Sequence, residues 1–180
     1  MSSAPAPRPP GARAAVSSVR IEPARTAWLE ALADGDAAFT ERFGIPVAPG
    51  WVGFPEALPA AAEAARLRDA DPWGTHLIFD AADGALVGFG GFKGAPVDGR
   101  VEIGYAIAQE RRNRGLAGAA VLLMVERARS AGVHVVVAHT LSEPNASTAV
   151  LTRCGFTRVA TVEDPDDGVQ VWRWELDLRR

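Results

Sequence analysis

The sequence has little of what defines several common classes of protein. It contains one cysteine, Cys154, in 180 residues, which excludes an intramolecular disulfide framework and a zinc site built from several cysteines. Neither sign of charge is in large excess, since 19 Lys and Arg residues stand against 22 Asp and Glu residues, for a net charge of -3. No global positive field exists to attract nucleic acid or an anionic membrane. Any anion site must be local, and a reducing, cytoplasmic location fits best.

Long hydrophobic runs are also missing. The longest apolar stretch, residues 116–125, has about half the length of a membrane span, and the N-terminus has no apolar core of a signal peptide. We therefore expect a soluble protein that is not exported. Residues 1–14 are rich in Pro and Ala and are predicted to form a disordered tail, with a proline-rich ligand as the alternative. Residues 15–180 are long enough for a single domain.

Hydrophobic periodicity predicts a mixed α/β (α+β) fold. An entry strand and two helices precede a meander of three strands, which is antiparallel because its turns are short. The apolar helix at 115–131 leads to a β-branched strand at 133–140, which should run parallel to the strand before the helix. A short helix and a hairpin follow. The other predicted strands are 16–21, 75–79, 85–92, 101–107, 156–163 and 169–178, and the other helices are 28–39, 55–67 and 143–153.

Small residues and arginines surround the start of the helix at 115–131. Gly115, Ala117 and Gly118 add little bulk, so phosphate could approach the unpaired amides of the first turn, where aligned peptide dipoles favour an anion. Positive charge would come from Arg100, Arg111, Arg112 and Arg114. A solvated basic turn is the alternative interpretation. The sequence has neither G-x-G-x-x-G nor G-x-x-x-x-G-K-[ST], so it lacks the signature motifs of a Rossmann or a P-loop nucleotide site.

The pattern Arg112-x-x-Gly115-x-Ala117 resembles the acyl-CoA motif of GNAT acetyltransferases, [QR]-x-x-G-x-[GA]. It lies where that superfamily has it, between the fourth strand and the following helix. Three further segments resemble the branch named for ribosomal-protein N-terminal acetyltransferases, namely residues 102–105, 143–147 and 151–156. The resemblance is specific over residues 101–156 and elsewhere rests on the order of the elements.

This resemblance implies a GNAT-like, mostly antiparallel sheet of six to seven strands, with helices on both faces and a V-shaped splay between strands 4 and 5. The pantetheine arm of acetyl-CoA would lie in the splay, and the pyrophosphate would lie at the start of the helix. Residues implied to hold the arm are Tyr105, Ala106, Ile107 and Asn145. Residues implied to hold the pyrophosphate are Arg112, Asn113, Arg114, Gly115, Leu116, Ala117 and Gly118. No metal is expected, and Cys154 is expected to be structural because the amine attacks the thioester directly.

Direct transfer needs a base for the ammonium proton and an acid for the departing thiolate. Glu102 is the candidate base, because desolvation within an apolar strand would raise its pKa; a strand residue facing solvent is the alternative. Many GNAT enzymes carry a tyrosine acid four residues before the Gly-Phe pair, where this sequence has Leu151. Ser147 is the candidate substitute, and an ordinary hydroxyl at a helix start is the alternative. His139 is not included in this predicted site.

The resemblance thus implies an acetyl-CoA-dependent N-acetyltransferase acting on a primary amine, either a protein N-terminus or a small molecule. Its expected partners are acetyl-CoA and this acceptor, without nucleic acid or membrane, and a homodimer is left open. The acceptor wall is expected from the first two helices, the loop with Trp51 and the last hairpin, whose acidic turn at 163–167 would attract an ammonium group. An acyl-CoA-binding sensor without catalysis stays open, as does a nucleic-acid-binding module, which the net charge disfavours.

Overall fold

A computed structural model describes residues 18–53, 55–164 and 168–179 of the chain. The predicted N-terminal tail, residues 1–14, lies outside the described residues. Phe54 and residues 165–167, which make up most of the acidic turn, lie outside them as well. No helix within the described ranges is long and apolar enough to span a membrane.

In the described part of the chain, seven strands form one sheet. They are β1 (Val19–Pro23), β2 (Thr75–Asp80), β3 (Leu86–Phe92), β4 (Arg100–Ile107), β5 (Val135–Leu141), β6 (Thr157–Glu163) and β7 (Gln170–Asp177). Their order across the sheet is β1-β2-β3-β4-β5-β7-β6. Every neighbouring pair is antiparallel except β4 and β5, which are parallel because α-helical chain connects them. The predicted mixed, mostly antiparallel sheet is confirmed.

Helices cover both faces of the sheet, as predicted. Over the same residues they are α1 (Thr26–Ala33), α2 (Asp36–Phe43), α3 (Leu58–Leu67), α4 (Leu116–Ser130) and α5 (Ala146–Arg153). Buried side chains of α1, α2 and α3 pack with β2 and β3 on one face, and those of α4 and α5 pack on the other. The prediction of one helix over 28–39 is wrong. Gly35 separates α1 from α2 with a φ of 121°, a conformation that side-chain-bearing residues rarely adopt.

β4 and β5 separate part-way along their length. They pair as far as Ile103 and Ala138, after which β4 stays on β3 up to Ile107 and β5 stays on β7 up to Leu141. We call the opening between residues 104–107 and residues 139–141 the notch, and the last paired residues its vertex. The predicted V-shaped splay is therefore confirmed.

A buried histidine links β2 to α4. His76 is 1% exposed, with its Nδ1 2.9 Å from the carbonyl oxygen of Gly74 and its Nε2 2.6 Å from a guanidinium nitrogen of Arg127. Because a carbonyl only accepts and a guanidinium only donates, the imidazole is neutral, with its proton on Nδ1. Burial lowers the pKa of His76 to about 4, so the folded protein keeps this ring uncharged well below neutral pH.

We predict that His76 makes the protein less stable as the pH falls from 6.5 to 4. In this window the unfolded chain protonates the imidazole at its ordinary pKa of 6.5, whereas the folded chain does not until about pH 4. The free energy of unfolding should fall by about 3 kcal/mol across the window and then level off. Urea denaturation at a series of pH values measures this loss.

His76→Gln removes the titrating ring and keeps one donor and one acceptor, so its stability should depend less on pH. His134→Gln, at an exposed histidine, serves as the matched control and should retain the parent's pH dependence. An equal loss of stability in His76→Gln and in the parent would contradict the assignment.

Candidate functional site

The loop between β4 and α4 exposes backbone N–H groups. Asn113 and Gly115 both take the left-handed conformation, with φ of 61° and 78°, and α4 begins at Leu116. Gly115 is the N-cap and supplies no side chain to cap the helix, so the amides of residues 116–118 have no acceptor within it. Such a turn followed by a helix start concentrates partial positive charge. The loop therefore suits an anion.

Two of the arginines that were expected to serve this loop are held elsewhere. Arg111 contacts Asp83 at 2.6 Å and Asp80 at 3.4 Å, which ties it to the β2–β3 turn. Arg100 pairs with Glu175 of β7. The positive charge near the loop is thus smaller than the sequence predicted, because carboxylates distant in sequence neutralise these two residues.

β4 directs backbone groups into the notch. The carbonyl of Glu102 accepts from the N–H of Lys93, directly after β3, and the N–H of Ala108 donates to the carbonyl of Val87 in β3. The side to which these backbone groups point alternates along a regular strand. Tyr105 and Ile107 therefore turn their N–H and C=O groups toward the notch, while Ala106 turns its own toward β3. Among the three β4 residues predicted to hold the pantetheine arm, Tyr105 and Ile107 are thus the two whose backbone groups face the notch, and the contacts themselves stay predictions.

Arg112 reaches from the loop to the edge of the notch. Its Nε donates to the carbonyl of Ile107 at 3.2 Å, which fixes the loop against the end of β4. Open space lies beside Gly104, where an added Cβ would meet no atom within 4 Å, and the same holds at Gly115. An extended ligand can thus approach both the strand and the loop.

α5 starts with a reciprocal capping box on the other side of the notch. The side chain of Asn145 accepts from the N–H of Thr148 at 3.0 Å, and the hydroxyl of Thr148 accepts from the N–H of Asn145 at 3.0 Å. The side-chain amide nitrogen of Asn145, Nδ2, donates to the backbone carbonyl of Glu143 at 3.0 Å. Asn145 is thus a helix cap, and its contact with a pantetheine arm stays a prediction.

Three side chains meet at the vertex, on the face that carries α1 to α3. Glu102 Oε1 lies 2.6 Å from Nζ of Lys93 and 3.0 Å from Nδ1 of His139. Glu102 comes one residue before the last β4–β5 pair and His139 one residue after it, so their hydrogen bond crosses the vertex. A carboxylate only accepts, so Nδ1 of His139 carries a proton; in the neutral form of the ring Nε2 is then an acceptor.

A cleft of about 330 Å³ adjoins this cluster. Side chains of β4, β5 and β7 line it, among them Glu102, His139, Arg100 and Arg173. The cleft lies on the opposite side of the sheet from α4, because Glu102 alternates along β4 with Val101 and Ile103, which pack against α4. A molecule in the cleft would therefore reach the vertex from one side of the sheet, and the loop between β4 and α4 lies on the other side.

A model of the acetyltransferase (GNAT) domain matches residues 19–157. The chain belongs to the GNAT acetyltransferase family. Members of this family use acetyl-CoA, and the chain is an N-acetyltransferase by family. The notch and the loop between β4 and α4 suit this cosubstrate. The loop combines exposed backbone amides with small residues, and it lies next to the edges of β4 and β5 that have no partner strand.

Solved structures share the fold of this GNAT protein. RimL, a ribosomal L7/L12 alpha-N-protein acetyltransferase, is 18% identical with a TM-score of 0.65 over 94% of this chain and 98% of that chain. A spermidine N-acetyltransferase SpeG chimera from Vibrio cholerae and hSSAT is 14% identical, with a TM-score of 0.66 over 91% and 97%. Salmonella typhimurium yncA with acetyl-CoA is 21% identical, with a TM-score of 0.57 over 89% and 94%. No curated protein matches the sequence.

The usual tyrosine position of GNAT enzymes is a core position in this member. Leu151, in α5, is 1% exposed and packs in the hydrophobic core between α4, α5 and the sheet. Ser147, the predicted substitute, lies half-buried at the second position of α5, and its hydroxyl has no hydrogen-bond partner among the residues that the structure describes. Its carbonyl accepts from the hydroxyl of Tyr105 at 3.4 Å. Burial raises the pKa of Tyr105, so this phenol stays protonated.

Cys154 and Trp51 have structural contacts in this GNAT domain. The thiol of Cys154 lies 3.8 Å from the carbonyl of Gly118 between α5 and α4, and burial raises its pKa, which supports the structural role. Trp51 is 3% exposed, and its indole N–H donates to Asp36 at 2.9 Å. It belongs to the core rather than to an acceptor wall. Gly53 brings the same loop to β4, where an added Cβ would lie 2.3 Å from the Cβ of Ala106.

The ionisation of Glu102 differs from the prediction. Partial burial raises the pKa of Glu102, but the hydrogen bonds from Lys93 and His139 outweigh burial and hold this pKa below its ordinary value of 4.5. The sequence by itself predicts neither Lys93 nor His139 as a partner of Glu102. His139 stands two residues beyond Val137, the register partner of Glu102, and only the register of the two strands puts it on the same face.

We predict that Lys93→Gln raises the pKa of Glu102, because it removes the positive charge next to the carboxylate. Lys93→Arg is the matched control and should keep this pKa low. Titration of the Glu102 side-chain carboxyl carbon by NMR measures both variants. An unchanged pKa in Lys93→Gln would mean that Lys93 does not control the ionisation of this carboxylate.

Proposed function

We propose that this GNAT protein transfers an acetyl group directly from acetyl-CoA to a primary amine that binds in the cleft beside Glu102 and His139. The observation that carries the proposal is the Glu102–His139 hydrogen bond, which crosses the vertex where β4 and β5 separate. A carboxylate with a coupled imidazole can bind an ammonium group and accept its proton. The cleft offers room for an acceptor next to this pair.

Acetyl-CoA, which supplies the acyl group as a thioester, would lie in the notch. We assign its pyrophosphate to the amides of Gly115, Leu116, Ala117 and Gly118, with Arg112, Asn113 and Arg114 beside them. The backbone of Tyr105 and the N–H of Ile107 would pair with the pantetheine arm, because β5 leaves them unpaired. The carbonyl of Ile107 already accepts from Arg112. Asn145 would approach the arm from the start of α5.

Three side chains, Glu102, His139 and Ser147, are assigned to binding the ammonium group, accepting its proton and protonating the thiolate. Glu102 stays ionised and attracts the ammonium group, while Nε2 of His139 is available as a proton acceptor because Nδ1 donates to Glu102. We assign protonation of the departing thiolate to Ser147, since Leu151 offers no donor and the hydroxyl of Ser147 lacks a partner among described residues. Neither assignment requires a covalent enzyme intermediate.

The acceptor belongs to one of two classes, a protein N-terminus or a small-molecule amine. RimL is by name an alpha-N-protein acetyltransferase, and SpeG is a spermidine N-acetyltransferase, so proteins of this fold serve both classes. A cytoplasmic location and a homodimer stay predictions. The second candidate function is a sensor that binds acetyl-CoA without turnover, which the apolar Leu151 at the usual tyrosine position favours.

We predict that Gly115→Asp weakens acetyl-CoA binding at least about tenfold relative to Gly115→Asn, because the added carboxylate repels the pyrophosphate. Asn and Asp have the same shape and tolerate the left-handed conformation of Gly115 better than other side chains. Comparison of the two variants therefore separates the effect of the added charge on affinity from the effect of backbone strain. Calorimetric titration with acetyl-CoA measures both affinities, and equal values would move the pyrophosphate to another place.

We predict that Glu102→Gln lowers kcat about 100-fold with spermidine or an N-terminal peptide as acceptor, because proton acceptance is impaired. The affinity for acetyl-CoA should be unchanged, and the rate should partly recover at high pH, where the free amine needs no base. Release of free CoA thiol measures the rate, and Glu126→Gln, at an exposed carboxylate of α4, is the control. Acetyl-CoA binding with no turnover of either acceptor by the parent would favour the sensor.

A further inference from the structure

Lys93 is the only lysine in the sequence, and it lies at the candidate active site. It follows β3 directly, and its backbone N–H donates to the carbonyl of Glu102 at 3.0 Å. The two residues are thus opposite each other across the β3–β4 ladder, where side chains on one face meet. This pairing brings Nζ of Lys93 to 2.6 Å from Glu102 Oε1.

The amine of Lys93 is accessible as well as close. Its side chain is 56% exposed, so solvent reaches this side chain although it is ion-paired, and its partner Glu102 lines the cleft. The same carboxylate is the group to which we assign an acceptor ammonium. Lys93 therefore presents, from the chain itself, the functional group that the cleft is proposed to bind, next to the vertex of the notch.

We propose that Lys93 is an internal acceptor, so that the protein acetylates its own Nζ when acetyl-CoA is bound. This inference rests on the proposed function, because it needs the thioester in the notch. It adds a modification site on the residue that pairs with the candidate base, Glu102. The matched alternative is a cross-strand ion pair that only stabilises the sheet.

The step is a simple acyl transfer. The ammonium of Lys93 first loses a proton to the Glu102–His139 pair, and its nitrogen then forms an amide bond with the acetyl carbon. The carbon–sulfur bond of the thioester breaks, and CoA leaves as its thiol after taking up a proton. One ammonium and one thioester thus yield one acetamide, one thiol and one proton released to solvent.

Self-acetylation would change the site that performs it. The neutral acetamide can no longer pair with the carboxylate of Glu102, so the charge that Lys93 contributes at the vertex is lost. An external ammonium group would then meet Glu102 and His139 without competition from Lys93. The modification would therefore prepare the cleft for its acceptor.

The presence of one lysine makes the test direct. The full-length protein is incubated with acetyl-CoA and no added amine, and mass spectrometry follows acetylation of the peptide that contains Lys93 over time. We expect Lys93 to react at least about tenfold faster in the native protein than in the urea-unfolded chain at the same pH, because binding places the reactants together. Glu102→Gln should lose most of this advantage, Glu126→Gln should keep it, and Lys93→Arg should show no acetylation at position 93.

A second measurement does not depend on turnover. Lysine labelled with ¹³C at Cε gives a single side-chain signal, which should shift when unacetylated CoA is added at saturation, since its thiol would lie near Nζ. If the protein binds acetyl-CoA and releases CoA thiol with an external amine, but Lys93 reacts no faster than in the unfolded chain, self-acetylation is overturned and the proposed function stands. If acetyl-CoA does not bind, both are overturned.

Discussion

The separation of β4 from β5 beyond Ile103 and Ala138 is the constraint on which the rest of the structure depends. Adjacent parallel strands normally satisfy each other's N–H and C=O groups, and groups that are left unpaired must find another partner. Tyr105 and Ile107 turn such groups toward the notch. In the function that we propose, the amides of a pantetheine arm would pair with them in the manner of an added strand, so the interruption of the sheet would itself form the binding site.

The sheet also divides two kinds of chemistry between its faces. On the face that carries α4, the helix start and its small residues present partial positive charge to an anion. On the other face, Glu102 presents a carboxylate whose neighbours are Lys93 and His139. Because the notch passes through the sheet, a cosubstrate held by its phosphates on one side can meet an amine that is held by a carboxylate on the other.

Ion pairs reduce the charge that the site can use. Arg111 is taken up by Asp80 and Asp83, and Arg100 by Glu175, which leaves Arg112 and Arg114 beside the loop. In the proposed site the backbone amides would therefore carry more of the anion recognition than the number of arginines suggests. In the same way, Lys93 offsets the charge of Glu102 and helps to hold the pKa of this carboxylate below its ordinary value.

The sequence by itself determined most of the elements, the parallel β4–β5 pair and the position of the loop that leads into α4. Hydrophobic periodicity and a motif such as Arg112-x-x-Gly115-x-Ala117 are local, so they can be recognised without knowledge of the fold. The break at Gly35 was missed because helical spacing continues through it. Only the tertiary structure decided the electrostatics of the site. His139 lies 37 residues from Glu102 in sequence, and strand register, which depends on packing of the whole sheet, brings them together.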